Sequence, residues 1–219
     1  MADSFRHKGL RKQLVEELRD RGIADSKVLE AINTVPRHLF IDNAFVKFAY
    51  KDKAFPIGAG QTISQPYTVA FQTQLLEIKP YDKVLEVGTG SGYQAAVLSL
   101  LDAEVFTVER QRELFLKTKK FLPELGYNCN FVYGDGYKGL PKFATFDKII
   151  ITCGAPFIPK DLVDQLKTGG RMVAPIGDGD VQVMHLIEKI SEIETKTTTH
   201  GEFSFVPMLN DKNSGNFNV

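Results

Sequence analysis

Glycine recurs at every second position where the run Val84-Leu85-Glu86-Val87 meets Gly88-Thr89-Gly90-Ser91-Gly92. The apolar residues read as a buried strand, and the glycines as a tight loop opening into a helix. A backbone without side chains lets a ligand come close. A second apolar run, Val105-Phe106-Thr107-Val108, ends on another acid, Glu109. Strand, glycine loop, helix, strand and acid make the half-site that holds a nucleoside in doubly wound folds.

The rest of the chain alternates in the same way. Strands are predicted over 84–87, 104–108, 128–133, 146–152 and 171–175. Helices are predicted over 92–101, 111–125 and 159–167, the last ended by Gly169-Gly170. Upstream, Leu10, Leu14 and Leu18 recur four apart and predict a helix over 6–21, stopped by Gly22. Asp25 is placed to cap a second helix, which Pro36 ends. Residues 36–65 show little period, and so long a segment is often functional. Pro66 suits the first turn of a helix running to about Glu77. Two β-rich runs within 181–199, parted near Ser191, are expected to pair antiparallel at a sheet edge. The fold class is therefore α/β: a doubly wound, mostly parallel sheet with helices on both faces and an N-terminal helical addition.

A chain of 219 residues suffices for one such domain. Residues 1–80 carry the N-terminal helices and the functional loop. Residues 81–209 carry the cofactor-binding sheet and a cleft, and 210–219 a loose tail. Lysine plus arginine balance aspartate plus glutamate at 27 each, so no strong field attracts nucleic acid or an anionic membrane. Neither is expected as a partner. Cys129 and Cys153 have no metal-ligand spacing; no metal is expected, and the thiols read as buried in a reducing compartment. The N-terminus has no secretory pattern and no stretch reaches membrane-spanning length, so a cytoplasmic location is the default. No coiled-coil signal appears, and a monomer is expected.

The loop also discriminates between cofactors. A dinucleotide fingerprint is GxGxxG; here the glycines are Gly88, Gly90 and Gly92, and Tyr93 follows. No GK[ST] follows either, so a P-loop NTPase is not supported. Glu86 beside the loop makes sense for a cationic ligand and little sense beside a pyrophosphate. S-adenosyl-L-methionine has a sulfonium, an ammonium and no phosphate. Glu109 would accept hydrogen bonds from both of its ribose hydroxyls, although an acid there also suits a helix N-terminus. Tyr133-Gly134-Asp135-Gly136 puts Asp135 just past another strand, where it either accepts the adenine amino group or forms a plain turn.

Four segments in order resemble the protein-L-isoaspartate(D-aspartate) O-methyltransferases, a family of class I S-adenosylmethionine-dependent methyltransferases. They are Gly60-Gln61-Thr62-Ile63-Ser64-Gln65-Pro66, Leu85 to Tyr93, Gly134-Asp135-Gly136, and Gly169-Gly170-Arg171-Met172-Val173-Ala174-Pro175. Ile151 to Pro156 and Phe205-Val206-Pro207-Met208 are similar to the family's cleft segments. The glycine loop is common to many methyltransferases, whereas the segment at 60–66 is specific to this family. The resemblance spans residues 6–209 and implies a Rossmann-like seven-stranded sheet. It implies methyl transfer from S-adenosyl-L-methionine to the free α-carboxylate of L-isoaspartyl residues in damaged peptides and proteins, the first step of their repair. By the same resemblance Ser64 is the active-site serine, with Thr62, Val206 and Pro207 at the substrate. Glu86, Gly88, Thr89, Gly90, Glu109, Arg110, Asp135 and Gly136 are at the cofactor. Ala59, Cys153-Gly154 and Asn210 depart from the family pattern.

A carboxylate acceptor is already ionised near neutral pH and needs no general base. That agrees with His7, His38, His185 and His200, which form no motif. Ser64 either caps the helix at Pro66 or turns to a ligand carboxylate. Nothing pairs it with a base as a nucleophile. Phe and Val residues within 203–208 are expected to line a peptide groove. A small-molecule O-methyltransferase shares the loop but does not explain 60–66, and an NAD-linked oxidoreductase is opposed by Tyr93. An inactive methyltransferase-like binding module is opposed by the intact acids and glycines. An RNA-modifying role lacks a basic run.

Overall fold

The computed structural model describes residues 3–213. Helix α1 (Phe5–Asp20) starts at Ser4, whose hydroxyl accepts the His7 amide, and buries Leu14, Val15 and Leu18. Asp25 caps α2 (Ser26–Thr34) through the Lys27 and Val28 amides. The stretch at 36–65 has more structure than its sequence suggests. Two 3-10 turns, Arg37–Phe40 and Asn43–Phe48, precede a hairpin of β1 (Phe55–Gly58) and β2 (Gln61–Ile63). Such short strands leave no readable alternation. Pro66 opens α3 (Pro66–Leu76), as its missing N–H favours.

The main sheet has seven strands: β3 (Lys83–Val87), β4 (Glu104–Glu109), β5 (Asn130–Tyr133), β6 (Phe146–Ile151), β7 (Leu166–Ile176), β8 (Gln182–Lys189) and β9 (Thr195–Phe203). Their order is β5-β4-β3-β6-β7-β8-β9. The pairs from β5 through β7 are parallel; β7 with β8 and β8 with β9 are antiparallel. The mostly parallel sheet and its antiparallel edge are both as the sequence predicts. Helices α4 (Tyr93–Ser99) and α5 (Arg112–Glu124) follow β3 and β4. The helix expected over 159–167 needs correction. Here α6 covers only Lys160–Asp164, the chain is already extended at Leu166, and Gly169-Gly170 sit inside β7 rather than after a helix.

Alternation along β3 decides where the acid goes. Val84 packs into the helical layer with residues of α1 to α4, and Leu85 and Val87 pack on the opposite face with Leu140 and Leu162. Period two places Glu86 on the Val84 side, where it is fully buried. The chain runs outward from β3 to β4 and β5, then returns to β6 on the other flank of β3. Loops leaving the carboxyl ends of β3 and β6 therefore diverge and leave a crevice.

The tail does not loosen at Asn210 as expected. The Arg110 guanidinium donates to the Asn210 and Asp211 carbonyls at 3.1 and 2.8 Å. The Asn213 backbone bonds to those of Arg110 and Arg112. Residues 214–219 of that expected tail lie outside the described residues. Among the described residues no helix is long and apolar enough to cross a membrane.

Candidate active site

The crevice beyond β3, β4 and β6 is closed on one side by residues 61–64 and on another by 206–209. Of the residues predicted for the site, the cleft brings together Thr62, Ser64, Glu86, Gly88, Thr89 and Gly90 from the first half of the chain. Glu109, Arg110, Gly136, Val206 and Pro207 join them from the second. Asp135 is not brought to the lining. Its carboxylate accepts the Tyr137 amide at 2.9 Å and opens the 3-10 turn Gly136–Lys138. One oxygen thus forms the turn, and the other keeps its acceptor capacity for a ligand amino group.

The glycine loop is held by its neighbours at two points. Gly88 has φ +101°, and a Cβ there would stand 2.6 Å from Thr152 Oγ1. That hydroxyl faces the Val87 and Gly88 carbonyls at 2.9 and 2.7 Å and buckles β6 to the loop. On the other side Thr118 of α5 donates to the Gly90 carbonyl at 2.9 Å. Thr152 also lines the cleft, as the resemblance of 151–156 to a cleft segment implies; its bond to the glycine loop is what the sequence did not signal.

Glu109 ends β4 and bends back under the loop. Its Oε2 accepts the Gly90 amide at 2.8 Å and its Oε1 the Gln111 amide at 2.7 Å. The acid assigned to a ribose is thus also a brace for the loop. Each oxygen keeps a further lone pair for a ligand hydroxyl. Burial raises its pKa, while the Gln111 and Gly90 amides oppose the rise.

Glu86 lies deeper. Thr107 donates its hydroxyl to Glu86 Oε2 at 2.5 Å, and Thr89 and Thr107 hydroxyls meet at 2.6 Å. Glu86 Oε1 makes no hydrogen bond of ordinary geometry, the Ala95 amide giving the carboxylate only a weak contact, and the buried Oε1 of Gln94 has no partner. Both residues line the cleft. Gln94 is held by its other end, whose amide donates to Thr73 at 2.9 Å. Two buried acceptors left open at one cleft fit a ligand that brings several donors and positive charge. They do not fit a pyrophosphate. The Nε–Nη2 edge of Arg110 is taken by the Asp211 and Asn210 carbonyls. The donor set therefore fits the aminoacyl end of S-adenosyl-L-methionine.

Burial pushes the Glu86 carboxyl up to about 8; the Thr107 bond and the nearby Ala95 amide oppose this and the Glu109 charge adds to it. Near neutral pH the empty site holds this acid protonated, and a cationic ligand favours the ionised form. Affinity for S-adenosylmethionine is therefore expected to rise with pH, by up to about tenfold per unit between about pH 6 and 7.5, with release of a proton. Calorimetry in buffers of different ionisation heat reads that proton. Glu86→Gln is expected to flatten the profile, and an unchanged slope in that variant would assign the proton elsewhere.

No side chain caps α3, so the Ser64 hydroxyl is not used there; Asp52 instead accepts the Tyr67 amide at 2.8 Å. Opposite Ser64, Gly154 sets the 206–208 segment. Its amide donates to the Val206 carbonyl at 2.8 Å and its carbonyl accepts the Met208 amide at 2.7 Å. Val206 lines the cleft as expected, whereas Phe203 does not; its ring stacks on Tyr67 and tilts against Phe71. Phe205 packs on the core under the helical layer. Among the described residues no histidine lines the cleft. His38 is buried beside His7, and burial pushes its pKa down to about 4. Cys153 does line the cleft, but burial pushes its thiol up to about 12, so it supplies no thiolate.

Comparison with known proteins agrees with this geometry. The profile of the protein-L-isoaspartate(D-aspartate) O-methyltransferase (PCMT) family matches residues 9–213. Protein-L-isoaspartate O-methyltransferases of Christiangramia forsetii and Flavobacterium johnsoniae are each 59% identical over 97% of this chain and 100% of their own. A Plasmodium falciparum structure described as an enzyme of this kind, in complex with S-adenosyl-L-homocysteine, matches with TM-score 0.79. It is 26% identical over 91% of this chain and 98% of that one. The glycine loop, the acid braced beneath it, the 60–66 segment over the cleft and these similarities have one explanation: the chain belongs to the protein-L-isoaspartate(D-aspartate) O-methyltransferase family.

Proposed function

We propose that the cleft transfers a methyl group from S-adenosyl-L-methionine to the free α-carboxylate of L-isoaspartyl residues in peptides and proteins, which starts their repair. The observation that carries this reading is the placement of Ser64, its hydroxyl uncommitted, on the wall of a cleft whose floor holds Glu86, Glu109 and the glycine loop. Bound there, S-adenosylmethionine would supply an electrophilic methyl group on a sulfonium; an ionised carboxylate can take it without a base, with S-adenosylhomocysteine leaving as the neutral thioether. Glu109 would hold the ribose hydroxyls, and Glu86 with Gln94 the ammonium. Gly88, Thr89, Gly90, Arg110 and Gly136 would shape the remaining cofactor wall.

Ser64 and Thr62 orient the acceptor carboxylate, and Val206 with Pro207 exclude water from it. Alignment in a dry cleft is the main catalytic effect for such a displacement. The grip on the acceptor is mostly backbone and apolar, which suits a substrate with varied side chains. The same reading takes the enzyme as a cytoplasmic monomer whose partners are isoaspartyl peptides and proteins.

The test uses labelled S-adenosylmethionine and paired peptides containing isoaspartate or aspartate. Base-labile methyl ester is expected on the isoaspartyl peptide alone. Ser64→Ala is expected to lower kcat by about 10- to 100-fold, with affinity for S-adenosylhomocysteine changed less than about threefold. Methylation of neither peptide by a protein that still binds the cofactor would refute the reading.

A further inference from the structure

One cation of the N-terminal addition reaches the active-site segment without entering the cleft. Arg37 begins the first 3-10 turn and is 0% exposed. Among the described residues no carboxylate lies within salt-bridge distance of it. Its fork is used on backbone instead. Nε donates to the Ala49 carbonyl at 3.1 Å, and Nη2 donates to the Lys53 and Ser64 carbonyls at 3.2 and 2.8 Å. The guanidinium carbon stands 4.7 Å from the centroid of the Tyr93 ring. Tyr93 is the residue that opens α4 directly after the glycine loop, and it lines the cleft.

A buried guanidinium carries a large desolvation cost, and an apolar side chain would avoid it. What the guanidinium provides is geometry. Its planar fork and flat cationic face meet three chain segments and one aromatic ring at once, which no other side chain can do. One of those segments is Ser64 and the ring belongs to the cofactor loop, so Arg37 ties the acceptor side of the site to the cofactor side. A second clamp holds the far end of the same short segment. Asp52 accepts the Tyr67 amide and is paired with Arg21, whose guanidinium lies 3.7 Å from the Tyr67 ring centroid. Between these clamps the Ser64 hydroxyl caps nothing, so its position follows that of its own backbone.

We infer that Arg37 is a positioning residue for methyl transfer, acting through the Ser64 carbonyl to set the serine hydroxyl against the acceptor carboxylate. The inference rests on the reading of Ser64 as an acceptor contact. Lysine in its place keeps the charge but donates from a single nitrogen, which cannot stand where both Nε and Nη2 do, against the Ala49 carbonyl and against those of Lys53 and Ser64.

Arg37→Lys is expected to lower kcat on an isoaspartyl peptide by about 10- to 100-fold, the size of effect that a displacement of about 1 Å produces. The Kd for S-adenosylhomocysteine is expected to change by less than about threefold. The deciding comparison is the double variant. If Arg37 acts through Ser64, then Arg37→Lys costs less than about threefold in a Ser64→Ala background. An equal loss of kcat in both backgrounds would overturn the inference, as would no loss or a parallel loss of cofactor affinity. Should Arg37→Lys fail to fold, Asp52→Asn loosens the segment from its other end and is expected to show the same non-additivity. Ser64→Ala with normal kcat would overturn the serine's role and this inference with it. Additivity would overturn only the part assigned to Arg37.

Discussion

Glu109→Gln is expected to weaken S-adenosylhomocysteine binding by about 100-fold or more, read by calorimetry. The carboxylate accepts two backbone amides that shape the loop, from Gly90 and Gln111. It also offers its remaining lone pairs to the ribose hydroxyls. An amide side chain has one acceptor oxygen. Its NH2 would face either the Gly90 or the Gln111 amide, donor against donor. Each lost charge-assisted bond costs about 1.5–3 kcal/mol, and two of them exceed the roughly 2.7 kcal/mol of a hundredfold effect. The isoaspartyl peptide's own KM is expected to change little at saturating cofactor. Binding within about threefold of the parent would remove Glu109 from the cofactor contacts and leave it only as the loop's brace.

Gly92→Ala is expected to destabilise the fold by about 3 kcal/mol, through strain and overpacking together. Gly92 has φ +84°, and a Cβ there would lie 2.0 Å from Leu122 Cδ1 and 2.6 Å from Thr118 Cγ2. Leu122 is fully buried, so its side chain must repack within the core, α5 must shift or the loop must open. For a chain of this size the loss corresponds to a fall in Tm of about 6–12 °C by calorimetry. Gly126→Ala separates the two causes. Gly126 has φ +85° but nothing within 4 Å of its Cβ, so it carries the backbone strain alone. Its cost is expected to be about 1 kcal/mol. Equal losses at the two positions would show that α5 yields to the methyl and that the contact with Leu122 is not rigid.

Much of the sheet was legible because its strands are fully buried. Val84, Leu85 and Val87 in β3 and Ile149, Ile150 and Ile151 in β6 form runs that no exposed segment would carry. Caps were legible for the same local reason. Asp25 and Pro66 act within one turn of themselves. Legibility failed where structure depends on partners. The β1–β2 hairpin has strands of four and three residues and is shaped by what it covers, not by alternation. The Gly169-Gly170 pair reads locally as a helix stop, but pairing of β7 with β6 draws it into the sheet. The tail at 210–213 is polar, yet Arg110 fixes it through carbonyls, which carry no residue identity for a sequence to display.

The site divides along the same line. The sequence by itself determined the glycine loop, the two acids at their strand ends, the segment ending at Ser64, and through them the cofactor class and the family resemblance. These features are local, because a loop conformation and a strand end are set by residues a few positions apart. Only the tertiary structure decided which groups were left without partners. It set one Asp135 oxygen on the Tyr137 amide, bent Glu109 under Gly90, left the acceptors of Glu86 and Gln94 open, and brought Arg37 to the Ser64 carbonyl across 27 positions of chain. Burial and hydrogen-bond satisfaction depend on which elements meet, and elements distant in sequence meet only when the sheet and its helical layer have closed.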